Sequence, residues 1–284
     1  MKQALILATA LGTLTALTPA AMAQTYNADA ISIHDFVGTV QVRATSASQI
    51  SVQIQSGSSD HSDPSMSVQG GRLMVDGGQS IRGLRCNSRN GSIRVGRRFG
   101  DRDPIADYPT LIIEAPASLA LAIEDSIFVG RAGELGSANL SIDRCGDFEV
   151  ADISGDANIE INGSGDIAIG RISGGTRFDI NGSGDIDVES VRDIHMDING
   201  SGDIEIGTQT GEFTAQINGS GDIDVDGGRA QPFNVEINGS GDVHHGGEVV
   251  DAVVDINGSG DVTADEFSGS MHWRGPGSYV RSRP

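Results

Sequence analysis

The heptapeptide Ile-Asn-Gly-Ser-Gly-Asp-Ile begins at Ile161 and recurs unchanged at Ile180, Ile198 and Ile217, then ends in Val in the copies from Ile237 and Ile256. The six starts lie 19, 18, 19, 20 and 19 residues apart. A repeat this short cannot bury an apolar face alone and must stack on its neighbours, so the period predicts a solenoid. Within a repeat the alternation has period two. Phe178 and Ile180 oppose Asp179 and Asn181, and after the turn Ile186 and Val188 oppose Asp185 and Asp187. The 40 glycines leave no room for stable helices. The expected fold is therefore all-β, a parallel β-helix or solenoid with about 19 residues per rung and one word per rung.

Weaker copies extend the array: IDRCGDF from Ile142, IEDSIFV from Ile123 and WRGPGSY from Trp273, which together predict roughly nine rungs. Asn-Gly-Ser-Gly reads as a corner in which glycine supplies positive φ, with the asparagines forming a ladder from rung to rung. The aspartates that follow would stack about 4.8 Å apart. In water each neighbouring pair repels by only about 1 kcal/mol, so the column does not demand a metal.

Residues 1–23 read as a cleaved secretory signal peptide: Lys2, an apolar run from Ala4 to Leu17, and Ala21-Met22-Ala23 before Gln24. Removing 23 residues from 284 leaves 261, expected in the periplasm or outside the cell. No later segment is apolar enough for a transmembrane helix, and no series of strands suggests a translocator barrel. The formal charge of −20 becomes −21 without Lys2, the chain's only lysine. Such an excess argues against nucleic acid and anionic membranes as general partners. An exported chain with an even cysteine count usually oxidises, so Cys86 and Cys145 are expected to pair, with two separate buried thiols as the alternative. Residues 24–108 read as a β-rich N-terminal part, either irregular early rungs or a cap, with an Arg-rich loop at 82–102. Residues 109–284 carry the repeats.

These serial words behind a signal peptide, with the lead-in LIIEAPASLALAIEDS from Leu111 to Ser126, resemble the bacterial autotransporter adhesin head family, the GIN domain. The resemblance implies an exported β-solenoid with an adhesin-like or structural role at the cell envelope, facing a protein or glycan partner. It implies no catalytic residues.

Two features compete with a purely structural reading. From Asp255 the chain reads DINGSGDVTADE, which puts Asp255, Asn257, Ser259, Asp261 and Glu266 at positions 1, 3, 5, 7 and 12 of a calcium loop. Other copies drift, with Glu160, Gln216 or Glu236 at position 1 and Ser190 or Thr208 at position 12, and the flanks are strands. A calcium-stabilised binding module is the alternative this leaves. The second feature is the run of Arg82, Arg85, Arg89, Arg94, Arg97, Arg98 and Arg102, which suits the acidic rungs or an anionic partner if it is not simply a solvated loop. A glycan-active enzyme is the third reading. Paired carboxylates such as Asp185 and Asp187 recur with the rung and form no unique cluster, while aromatic platforms are scarce, with Trp273 and three tyrosines. His244 and His245 are adjacent and should face opposite sides of a strand. The chain is thus expected to be non-enzymatic and to carry no cofactor.

Overall fold

The computed structural model describes residues 23–58, 61–89 and 92–275. The leader reading falls on residues 1–22, and the end of the Trp273 copy on 276–279, both outside the described residues. The chain opens with β1 (Gln24–Tyr26), β2 (Ala30–His34), β3 (Val37–Thr45), β4 (Ile50–Gln55), β5 (Ser65–Gln69) and β6 (Arg72–Asp76). It continues with β7 (Leu84–Arg89), β8 (Ser92–Arg97), β9 (Arg102–Pro104), β10 (Thr110–Pro116) and β11 (Ala120–Ala132). Next come β12 (Ser137–Arg144), β13 (Asp147–Ile153), β14 (Ala157–Gly163), β15 (Asp166–Ile172), β16 (Thr176–Ile180), β17 (Ile186–Val191) and β18 (Ile194–Ile198). The last four are long: β19 (Ile204–Ile217), β20 (Ile223–Ile237), β21 (Val243–Ile256) and β22 (Val262–Arg274).

The repeats wind into a parallel β-solenoid of about eight turns, each of roughly 19 residues. Each word is the corner between two sheet faces. On the first face β12, β14, β16 and β18 pair in parallel, followed by the C-terminal halves of β19 to β22. On the second face β13, β15 and β17 pair in parallel, followed by the N-terminal halves of β19 to β22. The first Ile of each word stacks on its counterpart, Ile161 on Ile180 on Ile198 and so on to Ile256, all essentially inaccessible to solvent. Burying each such side chain contributes about 2 kcal/mol.

The corner glycines have a different cause from the one their sequence suggests. None of the glycines in the six words has φ in the left-handed region. They are required by close approach: a Cβ on Gly219 would meet the Gly200 backbone, and one on Gly221 the Gly202 carbonyl and the Ile198 methyl. The same collision repeats through the column, for example at Gly182, Gly200, Gly239 and Gly258. The asparagine ladder is present: each Asn Nδ2 donates to the Oδ1 one rung back, from Asn181 to Asn162 at 3.1 Å through Asn257 to Asn238 at 3.2 Å.

The N-terminal strands stack out of sequence order. β2 and β3 lie between β11 on one side and β6 with β10 on the other, all parallel. β4 then pairs antiparallel with β10, β1 with β4, and β5 with β6. These antiparallel strands cover the edge of the first rung, which would otherwise offer a template for further pairing.

Replacing Gly219 by Ala is expected to lower stability by about 2–3 kcal/mol, because the neighbouring backbone cannot give way. The exposed Ser220→Ala beside it should change stability by less than about 0.5 kcal/mol. Urea unfolding of the two variants separates a packing role of the glycine from a loss of side-chain hydrogen bonds at the corner.

Candidate interaction surfaces

Between β6 and β10 the chain leaves the solenoid at the corner position and folds back over later corners. Where a loop was expected, β7, β8 and β9 form a separate antiparallel sheet. Its strands alternate. Leu84, Cys86, Ile93 and Val95 face inward, with Val37, Ile105, Tyr108, Ile127 and Cys145 completing a small second core. Arg85, Arg94 and Arg102 share the outer face.

The flap is held where the repeat word departs from its consensus. In IDRCGDF, Arg144 and Cys145 replace the Gly and Ser of the later copies. Cys145 is bonded to Cys86, 59 residues earlier, with Cα atoms 6.3 Å apart. Arg144 Nε donates to the Ile81 carbonyl at 3.2 Å. Nearby, His61 stacks on Tyr108 with ring centroids 3.7 Å apart and lies 3.7 Å from the Asp103 carboxylate. Burial, with the Asp103 charge, pushes the Tyr108 hydroxyl above its ordinary pKa, and that hydroxyl donates to the Val95 carbonyl at 3.2 Å.

The exposed edge of the flap is strongly basic. Arg82, Arg85, Arg94, Arg97 and Arg98 are exposed, and none forms an ion pair among the described residues. The Arg89 side chain lies outside the described set. At the turn after β8, Phe99 is 93% exposed with the Arg98 guanidinium 5.4 Å from its ring centre.

The second solenoid face is acidic. One outward column runs Glu149, Ala168, Asp187, Glu205, Asp224, His244. Small residues interrupt it, and a shallow groove of about 540 Å³ opens there, floored by Ala168, Gly170 and Gly207 and rimmed by Glu149, Asp187, Glu189, Glu205, Asp224 and Asp226. These six carboxylates are exposed and have no cationic partner among the described residues. The corner aspartates are better compensated. Each accepts the backbone N–H of the next one, Asp203 at 3.0 Å from the Asp185 carboxylate and Asp222, Asp242 and Asp261 at 2.8 Å from theirs. At the flap end, burial raises the pKa of Asp147 and Asp166. Neighbouring carboxylates add to the rise at Asp166, and the Asp185 N–H opposes it.

The calcium-loop residues follow one turn of the chain, from the end of β21 through the corner into β22. Asp255 and Asn257 sit at the end of the first-face strand, and Asn257 is engaged by Asn238. Ser259 is exposed at the corner and donates its backbone N–H to Gly239. Asp261 continues the aspartate column, and Glu266 lies beside Glu248 across the ladder. Among the described residues no three His, Cys, Asp or Glu side chains converge on a common point. Asp185, just before β17, and Asp187 within it both face solvent.

His244 is exposed and His245 is fully buried, as expected of adjacent strand residues. His245 Nε2 lies 3.3 Å from the Gln209 Oε1, and its Nδ1 accepts the Gly247 N–H, which places the ring hydrogen on Nε2. Gln209, also fully buried, donates to the Arg192, Gly211 and Glu212 carbonyls. Burial lowers the His245 pKa. The sequence reading missed this polar plug, as it missed the flap. Alternation of apolar and basic residues in LRCNSR and SIRVGR was the available signal for the flap.

A family model described as "Putative auto-transporter adhesin, head GIN domain" matches residues 30–228 and 207–270. The chain belongs to this family. No curated protein sequence matches it. Two solved structures are similar to the GIN-domain chain. One, described as a "Putative lipid binding protein" from Parabacteroides distasonis, has 16% identity and TM-score 0.49, with 87% of this chain and 96% of that one covered. The other, described as a "putative adhesin" from Bacteroides fragilis, has 13% identity and TM-score 0.37 with the same coverage. Among the described residues no helix is long and apolar enough to cross a membrane.

Two outcomes are expected of the GIN-domain chain. Converting both Cys86 and Cys145 to Ser should cost about 2–4 kcal/mol in thermal unfolding and speed proteolysis between residues 82 and 102. For His245, the folded pKa lies below the unfolded value of about 6.5. Its stabilising contribution is therefore complete above that pH and is lost as pH falls through the folded pKa. His245→Val removes the group, so it should be less stable than wild type near neutrality, with the gap narrowing below about pH 6.5. Denaturant unfolding across pH, as a difference between the two proteins, measures this while leaving the carboxylates common to both.

Proposed function

We propose that this chain is an exported, non-enzymatic adhesin-like module that works by binding a protein or glycan at the cell envelope. Its family description supports the adhesin-like part of this reading. The observation that carries it is the repetition of the outer faces. The acidic groups recur column by column along the second face, and a binding surface built this way offers many equivalent shallow contacts. Catalysis asks instead for one set of unlike groups held around a single reacting atom. The groove on that face is rimmed by carboxylates alone. The leader at 1–23 and the Cys86–Cys145 bond both suit a compartment outside the cytoplasm.

The mature chain, immobilised through its C-terminus, should retain a component of an envelope extract more strongly than of a cytosolic extract. It should release no product from acidic or neutral polysaccharides. Turnover of a glycan, abolished by Asp187→Asn, would overturn the non-enzymatic part. Export is read separately by fusing residues 1–23 to a reporter active only outside the cytoplasm.

A further inference from the structure

We propose that the flap of one copy docks into the acidic groove of a second copy, so that the chain self-associates head to tail. Two uncompensated surfaces lead to this. Among the described residues, Arg82, Arg85, Arg94, Arg97 and Arg98 are exposed without an anionic partner, and six carboxylates rim the groove without a cationic one. Elsewhere on the solenoid similar groups do find each other, as Arg177 does with Asp179 and Asp197, and Arg229 with Glu248. The charge left over on the flap is thus opposite in sign to the charge left over on the groove, on one and the same chain.

Shape adds to charge. Phe99 projects from the flap turn at 93% exposure with the Arg98 guanidinium against its ring, which leaves most of its apolar surface in water. The groove floor is low because Ala168, Gly170 and Gly207 carry a methyl group or nothing, and a volume of about 540 Å³ accommodates a phenyl ring with guanidinium groups around it. Seated there, the ring covers the floor and the arginines meet the carboxylate rim in bidentate or water-bridged pairs. A planar anionic surface would satisfy the flap alone and would bring the acidic face of a chain with charge −20 towards like charge. A second copy satisfies both surfaces at once.

Flap and groove are different patches, so the contact is heterologous and each docked copy leaves one flap and one groove unused. The assembly then grows until it closes. Being largely electrostatic at its rim, it should weaken with salt.

The test uses the purified mature chain alone and so does not depend on the adhesin-like reading. Light scattering and sedimentation should show concentration-dependent oligomers at low salt that dissociate as salt rises. A flap variant, Arg97→Glu with Arg98→Glu and Phe99→Ser, should be monomeric, with association weakened at least tenfold. A groove variant, Asp187→Arg with Glu205→Arg, should be monomeric as well. All five positions are solvent-exposed, and unchanged thermal unfolding certifies that both variants fold. Mixed together, the two variants retain one intact groove and one intact flap, and should form a 1:1 dimer and nothing larger. A wild-type chain monomeric throughout, oligomers that persist in either variant, or a monomeric wild type captured through its flap by phosphatidylglycerol vesicles would each overturn the proposal, the last in favour of a lipid surface.

Discussion

The contact on which the rest of the molecule depends is the approach of one corner glycine to the backbone of the corner beneath it. Parallel strands sit about 4.8 Å apart, and a corner that keeps this spacing must stack main chain directly on main chain. A Cβ at Gly219 or Gly239 would collide with backbone, so from Gly163 to Gly258 this column admits one residue type. With the corners in register, the isoleucines on either side align without adjustment, the asparagines meet at hydrogen-bond distance, and each aspartate receives the next rung's N–H. Core, ladder and compensated acidic column follow from one steric condition repeated along the stack.

That condition also explains how charge is tolerated. Six like charges in a line are costly unless something fixed answers them, and here a backbone donor does so at each step. The outward acids further along the strand have no such donor, and the difference between the two columns is what makes the groove rim a surface in search of cations. On the opposite side of the balance, seven arginines are gathered on a flap that is tied down by a covalent bond and a separate small core.

Much of this was legible in the sequence, for a physical reason. A solenoid spends its interactions between equivalent positions, so the period and the alternation of Phe178, Ile180, Ile186 and Val188 translate directly into rungs and an interior. The asparagine ladder follows from the same translation. Positive φ at the corner glycines was the wrong inference, because local turn rules consider one chain, while the constraint comes from its neighbour one rung away. The flap was obscured for a related reason. Its strands are short and mix Arg85, Arg94 and Arg102 with Asn87 and Gly96 on the outer face, so composition dominates over pattern in Arg82 to Arg102. The departures at Arg144 and Cys145 looked like decay of a terminal repeat, yet they are the anchor points of the flap. The pairing of Gln209 with His245 joins residues 36 apart in two different inward columns, and no local pattern reports it.

The placement of β2 and β3 between β11 and the pair formed by β6 and β10 has a consequence for how the molecule is made. β2 and β3 come early in the chain yet end as an interior slab, with strands on both sides. It must wait, with its apolar residues uncovered, until Ala132 has emerged and both flanking slabs are available. Growth by simple addition at one end is therefore closed to the first rungs, whereas the later words can each settle on a finished platform. The threading thus gathers the contacts between strands distant in sequence at the amino end and leaves one-rung contacts towards the carboxyl end.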